Sequence, residues 1–286
     1  MSIEGKTVAI TGAARGIGHA TAAALLARGA RVVIGDRDVA ALEDAVRRLP
    51  GRVTGHPLDV SDPESFANFL DRARADGDGR IDVLINNAGV MPVGHYLDQS
   101  EQAIRTAVEV NLCGVLTGCR LVLPEMVARR RGHIVNIASL AGMLAVPGQA
   151  LYAGTKFAVV GLSTALADEF EPQGVQISCV MPTFTNTELI AGTNATGATR
   201  PVQPADIAAA VVKTLDNPKT AVSVPYPLRF VAAATAFLPP RGRRWLSAKM
   251  GTDRVFLDFD TQARAAYEQR AQTATGVLEP PKTQSD

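Results

Sequence analysis

Short apolar runs rich in valine and isoleucine alternate along this chain with longer segments of helical periodicity. The seven strand candidates are Thr7–Thr11, Arg31–Asp36, Arg52–Asp59, Ile81–Asn86, His133–Ala138, Val175–Met181 and Thr220–Pro225. The helix candidates between them are Ile17–Arg28, Val39–Leu49, Pro63–Ala75, Glu101–Arg130, Tyr152–Glu169 and Pro204–Leu215. Continuous apolar runs are typical of parallel strands buried on both faces. The sequence therefore predicts an α/β fold, a doubly wound seven-stranded parallel sheet with helices on both faces.

This alternating pattern covers residues 1–226, which we expect to form one α/β domain. Within it, residues 185–203 lose the pattern and are rich in threonine, asparagine, glycine and alanine. Such a composition between regular elements is typical of a surface loop that carries functional residues. We expect this segment to be a substrate loop rather than a linker between domains.

Residues 227–270 follow the last strand candidate and are predicted to form a helical C-terminal extension. The extension combines an apolar run, Phe230–Leu238, with a basic run, Arg241–Trp245. This combination is compatible with docking on an anionic membrane surface. Because the apolar run is short, we favour a lid over the site or a contact between subunits. Residues 271–286, rich in threonine, proline and glutamine, are predicted to be a disordered tail.

The charge balance and the cysteine and histidine content argue against several classes of function. The 29 basic and 28 acidic residues nearly cancel, so we expect no nucleic-acid partner. Three cysteines without a CxxC pair and four scattered histidines predict neither a disulfide framework nor a metal site. A strand candidate begins at Thr7, so we expect no signal peptide. We also expect no apolar run of the roughly 20 residues that span a membrane, and therefore a cytoplasmic protein.

A glycine-rich turn, Thr11–Gly18, joins the first strand candidate to the first helix candidate. Glycines let a backbone approach a pyrophosphate closely. The helix N-terminus presents free N–H groups and a positive dipole end to the phosphates. This placement predicts a dinucleotide site of the Rossmann type. The cofactor contacts predicted in the turn are Gly12, Ala14, Arg15, Gly16, Ile17 and Gly18.

Asp36, at the end of the second strand candidate, bears on the choice of cofactor. A carboxylate there accepts hydrogen bonds from both adenosine ribose hydroxyls. It also repels a 2′-phosphate. Arg15 and Arg37 argue the other way, since either guanidinium can pair with a 2′-phosphate. We expect NAD as the cofactor, with NADP as the alternative.

Tyr152 and Lys156 are four residues apart in a helix candidate, so their side chains share one face. A free tyrosine, with a pKa of about 10, is a poor base at neutral pH. A neighbouring ammonium group stabilises the phenolate and lowers that pKa, which makes tyrosine a usable general acid and base. The pair predicts an acid–base site, although this spacing is common in helices.

Further motifs stand in a fixed order around this pair. They are the turn Thr11–Gly18, the run Asn86–Gly89 after the fourth strand candidate, Asn111, Ser139, and Pro182 after the sixth strand candidate. Together with Tyr152 and Lys156 they resemble the short-chain dehydrogenase/reductase family, in the branch with TGxxxGxG and YxxxK motifs. The resemblance spans residues 6–225, roughly three quarters of the chain.

The resemblance implies an oxidoreductase that interconverts a secondary alcohol and a ketone with NAD or NADP. Tyr152 would transfer the proton to or from the substrate oxygen, which Ser139 would hold. Lys156 would lower the pKa of Tyr152 and bind the nicotinamide ribose. Asn111 would anchor a water molecule that links Lys156 to solvent.

The resemblance also implies cofactor contacts outside the glycine-rich turn. Asp59 would meet the adenine ring, whereas Asn86 would brace the sheet. Family members usually have Pro-Gly after the sixth strand, but this chain has Pro182-Thr183, whose additional Cβ is expected to narrow the nicotinamide end. The implied contacts are Asp36, Arg37, Asp59, Val60, Asn87, Ala88, Gly89, Tyr152, Lys156, Pro182, Phe184, Thr185 and Thr187.

Residues 142–147, beside the predicted substrate site, are apolar and favour a lipophilic alcohol or ketone. The resemblance also implies a dimer or tetramer, built on the helices around Glu101–Arg130 and Tyr152–Glu169. Two other functions stay open. One is an NAD-dependent epimerase, and the other is a catalytically silent protein that binds NAD(P) on the same fold.

Overall fold

A seven-stranded parallel sheet forms the centre of the protein. The computed structural model describes residues 3–193, 201–249 and 251–272. The strands are β1 Thr7–Thr11, β2 Arg31–Asp36, β3 Val53–Pro57, β4 Val83–Asn86, β5 Gly132–Ile137, β6 Val175–Pro182 and β7 Ala221–Val224. Their order is β3-β2-β1-β4-β5-β6-β7, and each neighbouring pair is parallel. The predicted fold class is confirmed, and the predicted strand boundaries differ by at most two residues.

Helices connect the strands and cover both faces of the sheet. They are α1 Gly16–Leu26, α2 Val39–Arg48, α3 Pro63–Asp76, α4 Glu101–Val108, α5 Gly114–Ala128, α6 Ala150–Phe170, α7 Pro204–Asp216, α8 Leu228–Ala236, α9 Pro240–Lys249 and α10 Thr261–Gln272. Side chains cap several of them, because the first N–H groups of a helix lack partners within it. Asp38 accepts a hydrogen bond from Ala41 N at the start of α2, and Asp62 accepts one from Glu64 N at the start of α3.

Two apolar layers enclose the sheet. One contains Phe66 and Phe69 of α3, and the other contains Leu25 of α1 together with Ile34 of β2. β1, β4 and β5 are buried along their whole length, which explains their continuous apolar sequences. The strand order reverses between β1 and β4. In such sheets the carboxyl ends of the strands at this point border a crevice.

The predicted helix Glu101–Arg130 is interrupted in the structure. Residues Glu109–Cys113 form a π-helical turn between α4 and α5. A π turn inserts an extra residue into an α-helix and occurs often at functional sites. Here it carries Asn111, whose side chain is completely buried.

Two helical stretches correct the expectation that no segment is long and apolar enough to span a membrane. Glu101–Ala128 and Ala150–Gln173 meet that criterion by length and composition. They pack beside the sheet, and 56% and 39% of the residues in their most apolar parts are buried. Such packing is typical of core helices, so this criterion alone is weak evidence for a membrane span.

The segments outside the regular pattern are more structured than their sequences indicate. In the predicted substrate loop, Glu188–Ile190 form a helical turn and Thr185 pairs with Val202, while residues 194–200 lie outside the described residues. The predicted extension 227–270 contains α8, α9 and α10. α10 continues to Gln272, and the rest of the predicted tail lies outside the described residues.

Candidate active site

A cavity of about 920 Å³ lies at the carboxyl ends of the central strands. Most of the predicted site residues line it: Gly12, Ala14, Arg15, Gly16, Ile17, Asp36, Arg37, Asp59, Val60, Asn87, Ala88, Gly89, Ser139, Tyr152, Lys156, Pro182, Phe184, Thr185 and Thr187. Two predicted residues, Gly18 and Asn111, lie behind this wall. The structure thus brings residues from seven separate chain segments to one concave surface, as expected for a small-molecule site.

The glycine-rich turn is shaped by close backbone contacts. Gly12 and Gly16 have φ values of +63° and +55°, which favour glycine. A Cβ at Gly12 would lie 2.7 Å from Ala88 Cα, and one at Gly16 would lie 3.3 Å from Thr187 Cγ2. A Cβ at Gly18 would lie 2.6 Å from the carbonyl oxygen of Gly12. Gly18 therefore keeps the turn closed rather than lining the cavity.

The run after β4 fixes this turn from the other side. The side-chain amide of Asn87 donates to the carbonyl oxygens of Thr11 and Gly12, at 2.9 and 2.8 Å. The backbone N–H groups of Asn87 and Ala88 donate to Thr11 Oγ1, each at 3.0 Å. Asn86 instead donates to Asn136 on β5, at 2.9 Å, in agreement with the predicted bracing role. Asn87 thus joins the two halves of the cradle.

Asp36 organises the end of the cavity beside β2. Its Oδ2 accepts a hydrogen bond from Ala14 N at 3.1 Å, and its Oδ1 accepts one from Asp38 N at 3.2 Å. Arg15 pairs with the Asp38 carboxylate at 2.5 Å. The hydrogen bond from Arg15 lowers the pKa of Asp38. Two acidic side chains and one engaged arginine therefore stand where the sequence predicts the adenosine ribose.

The neighbouring wall is formed by Arg37 and Asp59. Arg37 donates to the carbonyl oxygen of Arg270 on α10, and burial lowers the pKa of Arg37. Arg270 in turn pairs with Glu188 of the substrate loop, at 3.0 Å. Asp59 Oδ1 accepts hydrogen bonds from Ser61 N and Ser61 Oγ, at 2.9 and 2.6 Å. α10 therefore bridges the segment after β2 and the segment after β6.

Tyr152 and Ser139 meet at the inner end of the cavity. Ser139 follows β5 and Tyr152 lies in the first turn of α6. The neighbouring Ser139 hydroxyl lowers the pKa of the phenol and so opposes the effect of burial. Burial dominates and raises the pKa of Tyr152 to about 12, so the phenol is protonated at neutral pH.

Lys156 is buried one helical turn beyond Tyr152. Its Nζ donates to the carbonyl oxygen of Ile137 at 3.0 Å and lies 5.7 Å from the centre of the Tyr152 ring. Burial lowers the pKa of Lys156 to about 8. The sequence predicts that Lys156 lowers the pKa of Tyr152, but the net shift of the phenol in this structure is upward. The largest cause of this upward shift is the removal of the phenol itself from water.

Asn111 supports this region from behind. Its amide group donates to Val90 O at 2.8 Å and to Thr155 Oγ1 at 3.1 Å, and its Oδ1 accepts from Val90 N at 2.8 Å. Gly89 separates it from the lysine, because a Cβ at Gly89 would lie 3.2 Å from Asn111 Oδ1 and 3.6 Å from Lys156 Nζ. The absence of a side chain at residue 89 leaves the space between these two polar groups open.

The segment after β6 closes the opposite side. Thr183, in place of the usual glycine, donates its backbone N–H to Val224 O at 3.0 Å and lines the cavity. Ser139 Oγ lies 3.5 Å from the carbonyl oxygen of Pro182. Phe184 stacks on Phe256 with ring centres 5.2 Å apart. Phe184 thus contacts a C-terminal residue that sequence motifs do not identify.

The C-terminal segment supplies further residues that the sequence analysis missed. Tyr267 Oη accepts a hydrogen bond from Met91 N at 2.7 Å. Arg264 is completely buried and donates to Met91 O, to Leu189 O at 3.0 Å and to Ala191 O at 3.1 Å. The sequence around Phe256 is rich in aromatic residues, but no motif there indicates that these residues reach the cavity.

Comparisons with known proteins agree with this architecture. The family model described as short chain dehydrogenase matches residues 6–197. Oxidoreductase UcpA of Escherichia coli K12 is 38% identical over 190 residues, which cover 65% of this chain and 72% of UcpA. The 3-oxoacyl-[acyl-carrier-protein] reductase FabG of Thermotoga maritima is 35% identical over 192 residues, covering 66% of this chain and 78% of FabG.

A solved structure extends the similarity over more of the fold. The crystal structure of a short chain dehydrogenase/reductase from Burkholderia phymatum in complex with NAD superposes with a TM-score of 0.75 at 25% identity. It covers 88% of this chain and 96% of the other. The fold and the cavity define a nucleotide-dependent oxidoreductase of the Rossmann type. This chain belongs to the short-chain dehydrogenase/reductase family.

Proposed function

We propose that this protein is an NAD-dependent dehydrogenase/reductase that interconverts a secondary alcohol and a ketone. The observation that carries the proposal is the meeting of Tyr152, Ser139 and Lys156 at the inner end of the cavity whose outer end is the glycine cradle. The structural relative with bound NAD supports a dinucleotide in the same fold. An acid–base group and a cofactor cradle in one cavity suit coupled proton and hydride transfer.

The described residues fit a dinucleotide. A Cβ at Gly16 would project toward Thr187 across the cavity wall, so the glycine keeps the space beside the N-terminus of α1 open. Free N–H groups at such a terminus bind phosphates. Asp36 and Asp38 stand at the ribose end, where a 2′-phosphate would meet two carboxylates. We therefore favour NAD over NADP. When bound, NAD supplies the site that accepts or donates the hydride.

The protein's own residues handle the proton and the substrate oxygen. A ketone oxygen placed between the hydroxyls of Ser139 and Tyr152, which both line the cavity, can accept from both. Because the pKa of Tyr152 is raised, its phenol holds a proton that it can donate to that oxygen. The buried ammonium of Lys156, 5.7 Å from the ring centre, favours the phenolate that remains. In the oxidative direction the phenolate takes the proton back.

The cavity favours a lipophilic substrate. Its inner part is lined mainly by apolar side chains, namely Met91, Leu144, Val146, Phe184, Leu189, Ile190, Val231 and Phe256. Several of them form one apolar cluster together with Tyr152. Burial of apolar substrate surface against this cluster contributes binding free energy in proportion to the area covered.

We also propose a homo-oligomer in the cytoplasm, a dimer or tetramer built on α5 and α6. Two large apolar side chains on these helices, Leu116 and Phe157, are 43% and 45% exposed. Burial of such side chains favours association. Light scattering on the protein and on a variant with Leu116→Lys and Phe157→Lys tests the idea, since a lower mass is expected for the variant.

The proposed reaction is tested by following the absorbance of reduced nicotinamide with the purified protein. NAD and NADP are supplied in parallel with a panel of secondary alcohols, and the reduced cofactors with the matching ketones. We expect turnover with NAD or NADH and with apolar members of the panel. Tight NAD binding without turnover of any member would indicate a silent binding protein and contradict the proposal. Conversion between two epimers without net change in NADH would indicate an epimerase.

A further inference from the structure

The outer side of α8 presents its large apolar side chains to solvent. Ala232 and Thr235 face the domain and are only 1% and 6% exposed. In contrast, 56% of Phe230 is exposed, and so is 90% of Phe237, which follows the last residue of α8. A helix that only covered a domain would bury its large apolar side chains and expose its small ones. This arrangement indicates that the outer side of α8 meets a further partner.

α9 continues this surface. None of its ten residues, all of which are described, is buried. Trp245 is 63% exposed, and Lys249 Nζ lies 5.1 Å from the centre of its ring system. A helix of this length is marginal in water without packing. We define the α8–α9 face by its exposed apolar and basic side chains: Phe230, Phe237, Leu238, Arg241, Arg243, Arg244, Trp245 and Lys249.

The chain segment that carries this face contains basic residues but no acidic ones. From Asn217 to Thr252 the sequence contains no aspartate or glutamate. It contains six cations, which are Lys219, Arg229, Arg241, Arg243, Arg244 and Lys249. Exposed aromatic side chains beside clustered cations are the pattern by which short helices bind the interface of an anionic bilayer.

We propose that the α8–α9 face docks the protein on the surface of an anionic lipid bilayer. Phe237 and Trp245 insert at the level of the headgroups, and Arg241, Arg243 and Arg244 contact the anionic groups. A lid would direct these aromatic side chains toward the cavity, whereas the structure exposes them. A symmetric contact with a second copy would place the same cations against one another. An anionic bilayer supplies the complementary charge.

The position of the cavity fits this orientation. Leu228, Val231 and Ala232 of α8 line the cavity, whereas Phe230 on the same helix belongs to the α8–α9 face. Docking through α8 therefore places one cavity wall at the bilayer surface. If the proposed function holds, a lipophilic substrate dissolved in the bilayer lies close to its binding site.

Flotation of the full chain with lipid vesicles tests the docking without cofactor or substrate, so its result is independent of the proposed reaction. We expect binding to vesicles that contain phosphatidylglycerol and at least tenfold weaker binding to pure phosphatidylcholine. Each cation near such a surface strengthens binding about fivefold, so the triple variant Arg241→Gln, Arg243→Gln, Arg244→Gln should bind about 100-fold more weakly. Binding should also weaken between about 0.1 M and 1 M salt, as the Debye length falls from about 10 to 3 Å.

A charge-matched control separates the face from net charge. Arg47, Arg72 and Arg105 are exposed on other helices, so their triple change to glutamine should leave vesicle binding within about twofold of the original. Phe237→Ser with Trp245→Ser should reduce binding at least tenfold while the circular dichroism spectrum is kept. Absence of binding to anionic vesicles, or equal loss in both arginine variants, overturns the proposal. A change of oligomeric mass in the Phe237→Ser, Trp245→Ser variant without a change in vesicle binding also overturns it, in favour of a protein contact.

Discussion

Arg264 on α10 donates a hydrogen bond to the carbonyl oxygen of Met91, which lies 173 residues earlier in the chain. Its guanidinium is completely buried and also binds the carbonyl oxygens of Leu189 and Ala191, beyond β6. A single cation thus ties together two loops that line the cavity. Arg264 also pairs with Glu268 on its own helix, at 3.1 Å, but its three acceptors in the loops are backbone atoms. These bonds therefore fix the path of the loops rather than a particular loop side chain.

Replacement of Arg264 is expected to loosen the substrate site. Arg264→Met leaves three carbonyl groups without this donor and should lower the free energy of unfolding by about 3 kcal/mol. KM for the ketone should rise more than kcat falls, because the loops position the substrate but do not transfer a proton. Urea unfolding and steady-state kinetics measure the two effects. Arg254→Met is the matched control, since Arg254 pairs with the exposed Asp258 in the same segment. Equal effects in both variants would contradict a special role of Arg264.

Tyr152→Phe removes the proposed acid–base group and retains the ring. We expect kcat to fall about 10²- to 10⁴-fold, the usual contribution of a general acid. NADH affinity, measured by fluorescence titration, should change little. Tyr226→Phe is a matched control, since the Tyr226 hydroxyl accepts from Arg229 at the surface. Near-normal turnover by the Tyr152→Phe variant would rule out the proposed proton route.

Lys156 should make the stability of the cofactor-free protein depend on pH. Burial lowers the pKa of Lys156 from 10.5 to about 8. Between these values the unfolded chain binds more protons than the folded one, so the contribution of Lys156 to stability improves as pH rises. Below about pH 8 the buried charge costs about 3 kcal/mol. Lys156→Met is therefore expected to raise Tm at neutral pH, with an advantage that shrinks toward pH 10. A Tm difference that stays constant over this range would be inconsistent with a buried ammonium.

Asp36 and Asp38 predict a preference for NAD that a single substitution can weaken. We expect the original protein to favour NAD at least tenfold in kcat/KM. Asp36→Ser removes one carboxylate next to Arg15 and Arg37 and should shift the ratio toward NADP by about 10-fold, equivalent to about 1.4 kcal/mol. Asp71 is exposed, so Asp71→Ser is the control and should leave the ratio of kcat/KM for NAD and NADP unchanged. If Asp36→Ser leaves this ratio unchanged, the 2′ position of the adenosine ribose does not lie beside Asp36.

The sheet and the cofactor end of the cavity could be predicted from local sequence. Buried parallel strands need continuous apolar runs, and Val32–Ile34 of β2 form such a run. An amphipathic helix would instead place its apolar residues three or four positions apart. The turn around Gly12 and Gly16 is also determined locally, because the positive φ values at these two positions favour glycine. Both features depend on residues that are neighbours in the chain.

The substrate side could not be predicted in the same way. Its contacts join residues far apart in sequence, such as Tyr267 with Met91 and Phe256 with Phe184. The π turn around Asn111 also depends on partners outside its helix, namely Val90 and Thr155. Spacing within a helix carries no information about these partners, so the sequence predicts Asn111 as a site residue but not the local backbone that places it.

The residues of the cofactor cradle come before the C-terminal residues of the substrate side in the chain, and this order has a consequence for synthesis. The sheet is complete once Val224 has been made, whereas Phe256, Arg264 and Tyr267 come later. Since folding during translation proceeds from the N-terminus, the cradle for the dinucleotide can form on the ribosome before the substrate side of the cavity is complete. A nascent chain that ends at Val224 therefore contains the residues of the cradle but lacks Phe256, Arg264 and Tyr267, which enclose the substrate side.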